Sequence, residues 1–138
     1  MKDIALILIS HGEMAKETLK SAEMIAGNIN GAYAVCMDVK EGPEGVIKKL
    51  KEVMFKLNDY KFILIMTDLM GGTPSNTAIT QFYGKDNVRI ISGFNLGMVL
   101  EFALSQDNNI DVLKDYLIEI GKNGIMDVLK RVKEVMDN

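Results

Sequence analysis

Residues 62–76 read FILIMTDLMGGTPSN. The first five are apolar without interruption. A run this short, closed by polar and glycine residues, is a strand buried on both faces. Such strands belong to parallel sheets with helices packed above and below. The rest of the stretch suits that arrangement. Gly71 and Gly72 supply a turn, and Thr73 and Pro74 read as the N-cap and first helical residue of a helix running to about Phe82.

Working outward, three more short apolar runs predict strands over Ile4–Ile9, Ala32–Met37 and Val88–Ile91. Helical spacing fills the gaps. Leu19, Ala22 and Ile25 or Ala26 recur every three or four residues and stop near Gly27. Val46, Ile47, Leu50, Val53, Met54 and Leu57 form a second stripe that begins just after Pro43. Strand and crossover helix alternate, as in βαβ units. Further on, Leu96–Leu104 and Val112–Ile120 read as helices. The GKNG at 121–124 breaks the pattern, and Ile125, Val128, Leu129, Val132 and Val135 predict a final helix from Ile125. No repeat, low-complexity tract or linker divides the chain, so residues 1–138 are expected to form one domain.

Composition narrows the function. A chain of 138 residues, 48% hydrophobic, suffices for one core. The formal charge of −3, with basic and acidic residues interleaved, leaves no basic face for nucleic acid. One cysteine, Cys36, and one histidine, His11, can form neither an internal disulfide nor a Cys/His zinc site, so no metal is expected. The run Ile4–Ile9 is short for a signal-peptide core, and no run approaches the roughly 20 residues that span a bilayer. A soluble, cytoplasmic protein is expected.

In open α/β sheets, ligands bind beyond the carboxyl ends of the strands, where neighbouring connections leave in opposite directions. With strand order 2-1-3-4 that point lies between the first and third strands. The loops meeting there are SHGE, 10–13, and TDLMGGTPSN, 67–76. His11 and Asp68, each one or two residues past a strand end, would converge. A neutral imidazole is a competent nucleophile, and a carboxylate bonded to one ring nitrogen fixes the tautomer that exposes the other. Gly71, Gly72 and the helix start at Thr73 offer backbone N–H groups and a positive dipole end for a phosphoryl group. The pattern leaves the plainer reading open: a histidine at a strand end can be structural, an aspartate there a turn residue, and the glycine pair only a tight turn. The loop lacks the spacing and lysine of a P-loop, and no G-x-G-x-x-G follows the first strand, so no nucleotide cofactor is expected. Glu13, Glu41 and Glu44 read as solvated surface, Cys36 as packing, and Met14, Met70 and Met98 as core or rim.

Four segments together, ISHGEMAKETLKSAEMIAG, TDLMGGTPSN, ISGFNLGMVLE and EIGKNGI, make the chain resemble the IIA component of the mannose-type (mannose/fructose/sorbose) phosphoenolpyruvate-dependent sugar phosphotransferase system. The resemblance implies a flavodoxin-like α/β sheet of order 2-1-3-4 with helices on both faces. It implies that His11 accepts phosphate from the phosphocarrier HPr and passes it to a IIB protein, which phosphorylates sugar entering through a membrane IIC/IID pair. Asp68 would orient His11, and Gly71, Gly72 and Thr73 would line the phosphoryl pocket. It also implies a homodimer that exchanges a short antiparallel strand, placed around Gly124 to Val128, against the helix that periodicity predicts from Ile125. Members often carry an aromatic at Met70 and phenylalanine at Ser75. With Met14 and Leu69, these positions are read as a partner-facing rim. Because the sequence ends at Asn138, IIB is expected on a separate chain. The alternatives are the phosphocarrier subunit that feeds dihydroxyacetone kinase, against which GGTPSN speaks, and a regulatory module that binds partners without turnover.

Overall fold

Four parallel strands form the sheet that the apolar runs predict. The computed structural model describes residues 2–137. In chain order the elements are β1 (Ile4–His11), α1 (Met14–Ala26), β2 (Ala32–Met37), α2 (Pro43–Lys56), β3 (Phe62–Thr67), α3 (Thr73–Phe82), β4 (Val88–Ser92), α4 (Leu96–Leu104), α5 (Ile110–Asn123) and α6 (Val128–Met136). The sheet order is β2-β1-β3-β4, as expected, with every ladder parallel. In the central pair Ile9 stands opposite Thr67, and on the other side of β1 His11 stands opposite Met37.

Alternation along β1 builds two cores. Ile4, Leu6 and Leu8 point to one face and pack with residues of α1, α4 and α5, among them Ala22, Phe102 and Leu117. Ala5, Ile7 and Ile9 point to the other face and meet Val46, Leu50 and Val53 of α2 and Ala78 of α3. Both faces of β1 and β3 are closed to water, which explains their unbroken apolar runs. Across the sheet's far edge, the Arg89 guanidinium donates to both carboxylate oxygens of Asp111 and ties β4 to α5. Among the described residues no helix is long and apolar enough to cross a membrane.

Three expectations are corrected. Gly72, not Thr73, is the N-cap of α3; Thr73 is already helical and no side chain caps this end. The GKNG stretch does not break the helix at its first residue, since α5 runs through Asn123. Gly121 sits inside it, where a Cβ would lie 2.6 Å from Met98 Sδ, so the methionine side chain of α4 packs directly on the α5 backbone. The last helix begins at Val128, not Ile125, because the Asp127 side chain accepts from Lys130 N and so defines the start. Residues 125–127 make no ladder within the chain, and Val128, placed at the end of the exchanged strand, opens α6 instead.

Candidate active site

The site is assembled at the carboxyl ends of the two central strands. His11 is the last residue of β1 rather than a loop residue, and Asp68 follows β3 directly. Ladder bonding therefore fixes the backbone on both sides. Gly12 N donates to Met37 O at 2.8 Å, and Asp68 N donates to Ile9 O at 3.1 Å. Gly12 has a φ of +54°, which turns the chain sharply from β1 toward α1. The buried Ser10 hydroxyl accepts from Ala15 N at 2.7 Å, satisfying a first-turn amide of α1 and fixing the His11–Met14 corner.

One carboxylate oxygen holds His11 twice. Asp68 Oδ2 accepts from the His11 backbone N–H at 2.8 Å and lies 2.7 Å from the ring Nδ1. The other oxygen, Oδ1, accepts from Leu69 N at 2.9 Å. An ionised carboxylate can only accept, so Nδ1 carries a proton, and in the neutral imidazole Nε2 keeps its lone pair. The pair is asymmetric in exposure, with 43% of the His11 side chain open to solvent against 6% for Asp68. The carboxylate is buried, and much of the imidazole is open to solvent.

Of the three predicted phosphoryl-binding residues, Gly72 has the most specific placement. A Cβ there would stand 2.6 Å from His11 Cε1 and 3.1 Å from Nε2, so the imidazole lies against a backbone that only glycine leaves bare. Gly71 makes no comparable approach. Its φ of +90° makes the turn, and a Cβ on it would meet nothing within 4 Å. Thr73 contributes the first turn of α3, whose N–H groups have no side-chain cap. First-turn amides lack intrahelical acceptors and carry the positive end of the helix dipole, so this end of α3, beside Nε2, suits an anion.

The rim is apolar in part. Met14, at the start of α1, and Leu69 and Met70, on the loop after β3, are exposed, whereas Met98 is core. Ser75 is not on that rim: it is 1% exposed, a correction to its expected place. Its hydroxyl donates to Leu69 O at 2.6 Å and lies 2.5 Å from Thr67 Oγ1. Sequence reasoning anticipates neither Thr67 nor this use of Ser75. The available signal is two hydroxyl residues flanking an Asp-to-helix loop. Glu41 is likewise more than solvated surface. It accepts from Asp38 N and Lys49 Nζ, and the Lys49 hydrogen bond holds its carboxyl below the usual range, shaping the β2–α2 turn.

The family model described as PTS system fructose IIA component matches residues 5–117. The chain belongs to that family. All five predicted site residues of this IIA component lie inside the matched span, and α6 lies outside it. The chain is 30% identical over 124 residues to the mannose-specific EIIAB component of Escherichia coli (strain K12), covering 88% of this chain and 38% of that protein. The IIA component thus spans well under half the length of that relative. The sorbose-specific EIIA component of Lacticaseibacillus casei is 28% identical over 116 residues, 83% of each chain. Among solved structures, the mannose/sorbose specific IIA subunit from Enterococcus faecalis matches with a TM-score of 0.84 and 38% identity, over 92% of this chain and 95% of that one.

Proposed function

We propose that this IIA component is a cytoplasmic phosphocarrier in which His11 accepts a phosphoryl group from the phosphohistidine of HPr and passes it to a IIB protein, serving sugar uptake through a membrane IIC/IID pair. The observation that carries the reading is the 2.7 Å contact between Asp68 Oδ2 and His11 Nδ1, which leaves Nε2 as the attacking atom. In the loading step the Nε2 lone pair attacks phosphorus, the P–N bond to the donor histidine breaks, and that nitrogen departs with the electron pair. Nδ1 keeps its proton throughout. The imidazole gains positive character as the new bond forms, and the buried Asp68 carboxylate stabilises it. The N–H groups around Gly71, Gly72 and Thr73 receive the phosphoryl oxygens, so in-line positioning and charge stabilisation supply the catalysis without a cofactor. Discharge to IIB reverses the roles.

The test is to load the purified protein from phosphorylated HPr and then offer it a mannose-type IIB and, separately, the nucleotide-loaded subunit of dihydroxyacetone kinase. Rapid discharge to IIB is expected, and preferential discharge to the kinase subunit would replace the sugar-uptake assignment. Asp68→Asn should stay folded, because the amide carbonyl of the variant can still accept one bond, but should transfer about tenfold more slowly or worse for want of the negative charge. Transfer at the parental rate in both half-reactions would remove Asp68 from the mechanism.

The carrier acts as a homodimer whose segment after Gly124 lies across a second copy. Support comes from α6, which has no buried residue, while Ile125, Leu129 (81% exposed) and Val135 present apolar surface. Exchange between subunits would also pair an otherwise open sheet edge. Light scattering at micromolar concentration should give the mass of two chains, and truncation before Gly124 should give monomers or aggregates. A monomeric full-length chain would refute the dimer.

A further inference from the structure

We infer that Ser75 is a positioning residue for phosphoryl transfer, acting through the loop that carries Asp68; this rests on His11 being the carrier residue. A serine hydroxyl has one proton. It is given to Leu69 O at 2.6 Å, so at the 2.5 Å contact with Thr67 the Ser75 oxygen accepts and the threonine hydroxyl donates. The direction of the chain is therefore set: Thr67 to Ser75 to Leu69. Its two side-chain members are buried and its ends flank Asp68 on either side.

The surrounding backbone explains why this tie matters. On the β3 side the loop is anchored, since Thr67 O accepts from Gly93 N and Phe94 N, and Asp68 N donates to Ile9 O. On the far side the chain passes through exposed Met70 and through Gly71, whose φ of +90° has open space around it. Ser75, in the first turn of α3, joins that side to the helix. It thereby fixes Leu69, whose N–H orients Asp68 Oδ1, and sets the reach from Leu69 to Gly72, which packs on the imidazole. Removing the hydroxyl strands the Leu69 carbonyl and frees the loop that holds both neighbours of the ring.

Because the protein has one histidine, ¹⁵N-histidine NMR on the full chain reports His11 alone. Ser75→Ala should load to the parental mass from phosphorylated HPr. It should transfer about tenfold more slowly, as expected for a sub-ångström loss of positioning, and broaden the hydrogen-bonded Nδ1–H signal. Thr67→Val, which keeps the bond to Leu69, should have the smaller effect, and the double variant should match Ser75→Ala rather than add to it. A purely structural serine would lower the melting temperature and leave the Nδ1–H signal alone. Parental rate with an unchanged signal in Ser75→Ala overturns the inference. Should that variant not fold, Ser75→Cys, which keeps the volume and weakens the donor, decides by the same two readouts. Absence of mass gain in the parent protein would instead overturn the phosphocarrier reading and the inference with it.

Discussion

His11→Ala is expected to abolish phosphoryl uptake while leaving the sheet intact. The side chain is at the open end of β1, 43% exposed, and belongs to neither apolar cluster, so its removal costs the core nothing. The backbone N–H of residue 11 still has Asp68 Oδ2 to donate to, and the β1–β2 ladder at Met37 is unaffected. What disappears is Nε2, and the protein has no second histidine to replace it. Intact mass after incubation with phosphorylated HPr should show one phosphoryl group on the parent protein, acid-labile as expected of a P–N bond, and none on the variant. A mass gain in His11→Ala, or an acid-stable label on the parent, would place the chemistry elsewhere.

Gly72→Ala should cost nearly as much from a residue that takes no part in bond making. The position has φ −91° and ψ 172°, ordinary extended backbone for alanine, so no backbone strain is added. The added methyl would nevertheless lie 2.6 Å from His11 Cε1, and something must give. If the ring tilts away, the contact between Nδ1 and Asp68 is lost. If α3 retreats, its first-turn amides leave the phosphoryl position. Either displacement approaches an ångström, for which a drop of about a hundredfold in transfer rate is expected with the melting temperature nearly unchanged. Gly71→Ala is the counterpart. Its methyl meets nothing, but its φ of +90° penalises alanine, so it should lose stability, by about 1 kcal/mol or more, before it loses rate. Single-turnover transfer and thermal melting on both variants check the contrast; equal effects at the two positions would mean that the close approach to the ring is irrelevant.

Much of this arrangement is legible in one dimension because buried parallel strands leave a strong trace. FILIM and IALILI can satisfy their surroundings only with both faces covered, and the order 2-1-3-4 brings their carboxyl ends together. The convergence of His11 and Asp68 follows from that placement. Three of the misreadings share a cause, namely that local preference is overridden by a neighbour distant in sequence. Threonine is the better N-cap, yet Gly72 holds that position, where the His11 ring, brought in from the end of β1, leaves no room for a Cβ. Gly121 reads as a helix stop, but it is an accommodation to Met98. Ser75 reads as part of the partner-facing rim with Met14, Leu69 and Met70; its burial is explained only once Leu69 O and Thr67 Oγ1 are seen to converge on it.

The register of the central strand pair has a consequence for how competence arises. Ile9 is opposite Thr67, so the residue that follows β3 reaches the end of β1. A slip of one residue would put a different side chain beside His11 and, in the same stroke, exchange the β3 side chains between the two cores. The His11–Asp68 pair thus exists only in the alignment that also closes both cores. A misregistered chain or an isolated β1 segment retains the histidine but not the carboxylate beside it, so under the proposed function acceptance of phosphate would report the native alignment.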